Sequence, residues 1–426
     1  MRLNNFYTTL GKIEQIVGLT VEASGISCNI GDVCNISIAG TDKKSIMSEV
    51  VGFRNGKVLL MPYGDITGIG YGSFVSNTGE KLKIKMSPQL IGRTIDAVGN
   101  PIDGKGEIEG QTFYSINGRP SNPMKRPPIR EPVEFGIKAI DGMLTVGKGQ
   151  RMGIFAGSGV GKSILMGMIA RNINADVNVI AMVGERGREL MEFINRDLGD
   201  EGISRSVLVV ATSDQPAMMR SKCAQTATAI AEYFKDQGKD VLLMMDSLTR
   251  FCMAEREIGL SAGEPPIARG YTPSIYASLP KLLERCGNFE TGSITGIFTV
   301  LVEGDDSNEP ISDTVRGIID GHIMMSRNMA MRNHYPAIDI LSSISRLMSE
   351  IISDDQKETA GKIRKIMSVY EENQDLISIG AYKTGTNPEL DYAISRLESI
   401  NEFLKQDINE RFSMEETISI MRKIFE

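Results

Sequence analysis

Residues 153–166 read "GIFAGSGVGKSILM": a short apolar run, a glycine-rich bend and the opening of an apolar helix. The bend fits G-x-x-x-x-G-K-[ST] at every fixed position but the first, where Ala156 stands, and continues through Gly157, Ser158, Gly159, Val160, Gly161, Lys162 and Ser163. Between a strand and a helix, such a loop turns successive backbone N–H groups towards one point, and the positive end of the helix dipole adds to them. Phosphate oxygens suit that point. A lysine there neutralises the outer phosphates of a nucleotide, and the hydroxyl that follows ligates Mg²⁺. Lys162 and Ser163 are therefore the first candidate residues, with ATP and Mg²⁺ as the ligands they imply. The alternative is a glycine-rich turn that binds nothing, and the Lys–Ser pair argues against it.

Outward from this stretch, apolar runs alternate with helical segments from about 135 to 346: "RMGIFA", "VNVIAMV", "SVLVVAT", "DVLLMMD", "SITGIFTVLV" and "GHIMMS". Near-continuous apolar strands with helices between them predict a mainly parallel sheet covered on both faces. In such sheets ligands sit beyond the carboxyl ends of the strands. There "DVLLMMD" brings out Asp246, a second candidate for Mg²⁺, held through water. "VNVIAMV" runs into "GERGRE" and puts Glu185 and Arg186 on the same rim. Two readings stand for this group. Either Glu185 orients an attacking water, or Glu185, Arg186, Arg188 and Glu189 form a solvated ion-pair cluster of little energetic worth.

Residues 1–82 alternate short β-branched runs with Gly and Asn/Asp turns, and Asn55-Gly56 between two runs is a hairpin signal. They predict a small closed β-barrel. "VGNPIDGKGEIEG" and "GRPSNPMKRPPIREP" sustain neither helix nor central strand and read as a connector near the start of an 83–348 nucleotide-binding domain. From 349 to 426 helical periodicity takes over, with a Gly-rich interruption at "IGAYKTGTNPE".

The totals narrow the function classes. With 426 residues, several domains are expected. A net charge of −7 gives no global cationic field towards nucleic acid or anionic lipid. Five cysteines without a CxxC pair and only two histidines point to reduced thiols and no zinc site. No stretch has the length of a membrane span or signal core, so a cytosolic protein is expected. The 24 methionines read as core filling.

Taken together, "GIFAGSGVGKS", "GERGRE", "VLLMMDSLTRF", "GEPPIARGYTPSIYASLPKLLER", "LVEGDDSNEPISDTVRGIIDGHIMMSR" and "HYPAIDILSSISRLM" resemble the catalytic subunits of rotary-type ATPases, specifically the type III protein-export ATPases of flagella and injectisomes. "LISIGAYKTGTNPELDYAI" stands where the rotary synthase subunit has an acidic rotor-contacting loop, which favours the export branch. The start of the barrel, "GKIEQIVGLTVEASGI", and "GNPIDGKG" look flagellar. The resemblance implies an N-terminal β-barrel, a RecA-like P-loop core and a C-terminal helical domain. It also implies a catalytic carboxylate at Glu185, Arg186 beside the terminal phosphate and Arg250 in support. Tyr335 would stack on adenine, the alternative being a core tyrosine, with Phe412 a candidate for the second face. Arg346, in "SISR", would be the finger lent to a neighbour's nucleotide, the alternative being an interdomain salt bridge. A finger in trans implies a homohexamer. The family further implies a stator-like negative regulator, a coiled-coil stalk, export-gate membrane proteins, substrates and chaperones, and peripheral attachment at the inner membrane. Ala156 and Thr272, the latter where the family usually has Pro, depart from the pattern, and the stretch before the barrel is short.

Two other classes compete. An RNA-dependent hexameric helicase also joins a barrel to such a core, but the chain is acidic, and Tyr71 and Phe74 would face opposite sides of a strand. A non-catalytic nucleotide-binding subunit would lack the acid at Glu185.

Overall fold

The computed structural model describes residues 9–38, 45–118, 122–302 and 309–426. The stretch before the barrel (1–8) and positions 303–308 of the "LVEGDDSNEP" motif lie outside the described residues.

Six antiparallel strands close the barrel. Leu10–Val17 pairs with Thr20–Ser24, followed in turn by Lys57–Pro62, Ser45–Arg54, Asp32–Ser37 and Phe74–Lys81, which returns to the first. Inward positions carry Ile13, Val21, Cys34, Ile36, Val50, Leu60 and Val75, a core made by the period-two alternation of each strand. Asn55 and Gly56 both adopt positive φ, 51° and 74°, the twist-matched hairpin turn that the pair predicts. One expectation fails here. Tyr71 lies in a turn before the Phe74–Lys81 strand, closed by Ser73 N–H donating to the Gly70 carbonyl, so no strand separates it from Phe74. Both rings are exposed, and the weight against an RNA platform rests on the acidic charge alone.

The nucleotide-binding core is a nine-stranded sheet. Across it run Ile338–Ser345, Gly321–Met325, Arg151–Ala156, Ser293–Leu301, Asp240–Asp246, Val177–Glu185, Ser206–Thr212 and Thr94–Asp96, with Gly287–Asn288 off this path. All are parallel except Ile338–Ser345 and Gly287–Asn288. Both edges go beyond the sequence reading. Thr94–Asp96 reaches the sheet from ahead of the Pro/Gly-rich connector, and Ile338–Ser345 has the mixed polar pattern of an edge, with alternate residues buried.

Helices Ala217–Lys235 and Leu248–Ala262 cover one face of the sheet, where Met218, Cys223, Ile230 and Phe251 are buried. Helix Lys162–Asn172 covers the other, together with Ile363, Ile400 and Phe403 of the C-terminal helices Asp354–Ser378 and Pro388–Leu404. The helical region is thus seated on the same face as the phosphate loop. A last helix, Met414–Lys423, starts at a reciprocal Ser413–Glu416 cap. The barrel is tied to the core by Lys222 Nζ, 2.8 Å from Glu49 Oε1.

Candidate active site

Parallel strands bring their carboxyl ends to one rim, and the chemistry collects there. Arg151–Ala156 feeds the glycine-rich bend; two strands away Asp240–Asp246 ends in Asp246, and the next strand ends in Glu185. Gly159 and Gly161 have φ of 79° and 89°, and Gly161 caps the Lys162–Asn172 helix with no side chain on its first N–H groups. Those donors and the helix dipole are left for an anion.

Lys162, in the first turn, reaches back across the rim. Its ammonium is bonded to Asp246 and lies 3.7 Å from Glu185 Oε1. Asp246 is 2 % exposed. Its Oδ1 accepts a second bond, 2.6 Å, from the Thr299 hydroxyl on the neighbouring strand. Glu185 is pushed up to about 7, first by burial, then by the Asp246 charge; Lys162 pulls it down, and a hydrogen bond with Glu189 raises it again. Near neutrality this carboxyl exchanges a proton, as a group handling water requires.

Arg250 closes the far side. Its side chain passes over Gly184, where a Cβ would lie 3.1 Å from Arg250 Cβ, and Nε is buried without a hydrogen-bond partner among the described residues. A buried guanidinium N–H with nothing to donate to is costly in a finished structure. Uncapped helix N–H groups, that guanidinium, and an ammonium held by two acids together fit a nucleotide triphosphate.

The "GERGRE" group divides. Glu185 belongs to the rim, whereas Arg186, with its side chain 77 % exposed, lies 3.4 Å from Glu189 as a surface pair. Arg188 pairs with Glu192 in the same manner.

Tyr335 and Arg346 mark the two ends of the edge strand Ile338–Ser345. Tyr335 is on the loop side: a Cβ on Gly161 would lie 3.5 Å from its ring, which is 37 % exposed and so is no core tyrosine. Arg346 is on the other side, because Ser345 pairs with Gly321 and Gly321 with Met152, near the start of the strand that feeds the loop. About five residues at about 3.3 Å each put it some ~15–20 Å from its own phosphate loop. It is exposed, bonded at 3.2 Å to the Arg316 carbonyl, with no acid partner among the described residues, so the interdomain salt bridge is not formed. Phe412 is faced by the Lys138 ammonium at 4.7 Å, and its segment meets Tyr335 through Gln406 N–H and the Tyr335 carbonyl.

Sequence reasoning missed two contacts. In the sequence Glu189 reads as part of an ion-pair cluster, and Thr299 as one letter of an apolar strand. A hydroxyl inside "SITGIFTVLV" was the available signal, since buried hydroxyls need a partner.

Models of the ATP synthase alpha/beta family match the chain twice, the nucleotide-binding domain over residues 136–345 and the beta-barrel domain over 13–79. The flagellum-specific ATP synthase of Bacillus subtilis is 54% identical over 424 residues, 100% of this chain and 97% of its own length. The chain belongs to the ATP synthase alpha/beta family. Within that family it falls among the type III export ATPases: the T3SS EscN ATPase C-terminal domain matches residues 352–423. The type 3 secretion system ATPase of Xanthomonas euvesicatoria is 46% identical over 97% of this chain and 93% of its own length. Of solved structures, the assembled ATPase EscN from the type III secretion system of enteropathogenic E. coli superposes with a TM-score of 0.92 at 43% identity, covering 98% of this chain and all of that one. The same ATPase in complex with its central stalk EscO gives 0.90. The family's enzyme class, ATPase, agrees with the rim just described, and barrel, RecA-like core and helical region follow in the family's order.

Proposed function

We propose that this ATPase works as a homohexamer that hydrolyses Mg²⁺-ATP at its subunit interfaces to energise flagellar type III protein export, releasing and unfolding cargo at the export gate. The observation that carries it is the opposite placement of Tyr335 and Arg346: one subunit's edge strand offers a ring to its own loop and a guanidinium to another's.

When ATP binds, Lys162 leaves Asp246 for the outer phosphates, and the loop N–H groups take the remaining oxygens. Ser163 and Asp246 would hold Mg²⁺, which when bound would draw negative charge off the phosphate oxygens. Glu185 orients the attacking water and takes its proton. Arg250 donates from within the subunit, Arg186 swings in from the surface, and Arg346 of the adjacent subunit supplies a planar fork to the charge spread in the transition state. Tyr335 stacks on adenine, with Phe412 as the second face.

The C-terminal hairpin tip, 379–387, is suited to a coiled-coil stalk, a reading supported by EscN's complex with its own stalk. A stator-like regulator, export-gate proteins, substrates and chaperones complete the proposed partners, with no nucleic acid among them. No helix among the described residues is long and apolar enough to cross a membrane, and the proposed location is cytoplasmic, peripheral at the inner membrane. An injectisome role is the second reading, favoured by the Xanthomonas relative at 46% identity. Replacing Lys162 by Ala in the host tests the proposal. Filament assembly and secreted flagellar proteins should both disappear; unchanged motility with altered RNA termination would overturn it.

A further inference from the structure

We propose that Thr299 is the positioning residue for Asp246, fixing the carboxylate in the orientation that receives Mg²⁺. The inference rests on the metal-binding reading of Asp246 given above.

Thr299 is fully buried in the Ser293–Leu301 strand, between the buried Phe298 and Val300. A hydroxyl in such surroundings costs free energy unless it is bonded. It has one hydrogen to give and two acceptors: Asp246 Oδ1 at 2.6 Å and the Met245 carbonyl at 3.3 Å. The shorter bond, to an ionised acceptor, takes the hydrogen. Being β-branched, the side chain is stiff at χ1, so the donor is held rather than searching. Thr249 closes the end of the same strand with a bond from Leu301 N–H to its hydroxyl, 2.9 Å, which ties that end to the helix Leu248–Ala262 that follows Asp246.

Lys162 shares Oδ1 with Thr299. Once the ammonium turns to phosphate, Oδ1 loses one of its two donors in a place 2 % exposed, where bulk water is no substitute. Thr299 is the donor that remains. With Oδ1 pinned by the hydroxyl, Oδ2 is the oxygen that would be left to serve a metal-bound water. Partners behind a metal ligand act in this way, orienting a carboxylate they do not replace.

The test is equilibrium binding of a fluorescent ATP analogue to the full-length protein, titrated with Mg²⁺, for wild type, Thr299→Val, Thr299→Ser and Asp246→Asn. Thr299→Val keeps the shape and removes the donor. It should raise the Mg²⁺ concentration for half-maximal response about 10–100-fold, the usual effect of losing a partner behind a metal ligand, with metal-free nucleotide affinity unchanged. Thr299→Ser should restore the wild-type value to within about threefold, a recovery that lost packing does not produce. If Thr299→Val does not fold, Thr299→Ala carries the same expectation. A valine or alanine variant that folds and keeps the wild-type Mg²⁺ requirement overturns the proposal, as does failure of serine to restore it. Asp246→Asn separates the two levels: if it leaves the Mg²⁺ requirement intact, the metal reading of Asp246 itself falls; if it abolishes the response while Thr299→Val does nothing, only the positioning role falls.

Discussion

Two lysines in this protein, Lys222 buried and Lys162 half-buried, each face two acids, and they are finished differently. Lys222, at the joint between barrel and core, lies 2.8 Å from Glu49; Tyr63 donates to the other oxygen of Glu49, and Ser221 donates to Glu255, whose carboxyl burial raises and the Lys222 charge draws back. Its acids are covered. Lys162, at the rim of the sheet, faces Asp246 and Glu185, but Glu185 is crowded by the Asp246 charge, and the neighbouring Arg250 Nε has no partner among the described residues. Closed clusters hold domains together; an open one of the same composition is a site. Burial and charge alone do not separate the two, because both have them. Incomplete satisfaction does, since buried polar groups without partners are rare and costly in a structure that has no further use for them.

The strongest way to break this contrast is at the open cluster. Glu185→Gln should bind ATP with near wild-type affinity and lose about 10²–10⁴-fold in turnover, the range of general acid–base catalysis, while the melting temperature does not fall. Equal turnover in the Gln variant removes the water-orienting role. Lys162→Ala should lose nucleotide affinity and turnover together, read by binding titration beside a hydrolysis assay.

At the closed cluster the expectation reverses. Lys222→Met leaves the half-buried Glu49 with Tyr63 as donor but without its ammonium, and should cost about 3–5 kcal/mol of stability, as one-sided removal of a buried pair does, yet spare nucleotide affinity. Denaturant unfolding with a binding titration decides it; lost ATP binding at unchanged stability would merge the two clusters.

A smaller effect is set by pH. Glu185 titrates at about 7 in the folded protein against an ordinary 4.5, so kcat/KM should fall as pH drops through about 7, with the free enzyme's base as the cause. The sign for stability is opposite. The folded state holds the extra proton between those values, so this group's contribution is complete below 4.5 and lost as pH rises through about 7. Thermal melting of nucleotide-free protein on either side of about pH 7 should show that decline, and Glu185→Gln should remove it. Smallest of all is Arg188→Ala. Its pair with Glu192 is exposed, and both stability and turnover should stay within about 0.5 kcal/mol of wild type.

Much of this was legible before any coordinates. The glycine-lysine-serine bend needs its strand and helix, and apolar runs of seven to nine residues, such as Asp240–Asp246 and Val177–Glu185, read as buried parallel strands. Their carboxyl ends then place Asp246 and Glu185 by topology. Edge elements were harder. Ile338–Ser345 mixes serines with isoleucines because one face is solvated, and Thr94–Asp96 is three residues long, below any periodicity. The spacing of Tyr71 and Phe74 would set them on opposite sides of a strand; Gly72 at φ 80° turns the chain between them instead. Among site residues, Lys162, Glu185, Asp246 and Arg250 are brought to one rim, whereas Arg186 is held at the surface. Thr299 meets Asp246 through sheet order rather than through spacing along the chain, whereas Glu189 meets Glu185 across the turn from strand to helix.

In the proposed ring the open cluster is completed by nucleotide on one subunit and by a guanidinium from the next. This completion is tested most directly by mixing Glu185→Gln subunits with Arg346→Ala subunits and measuring ATP hydrolysis of the mixed rings. Each variant alone should be nearly inactive, and the mixture should regain turnover where an intact Glu185 meets an intact Arg346. No recovery in rings that demonstrably contain both subunits would contradict it.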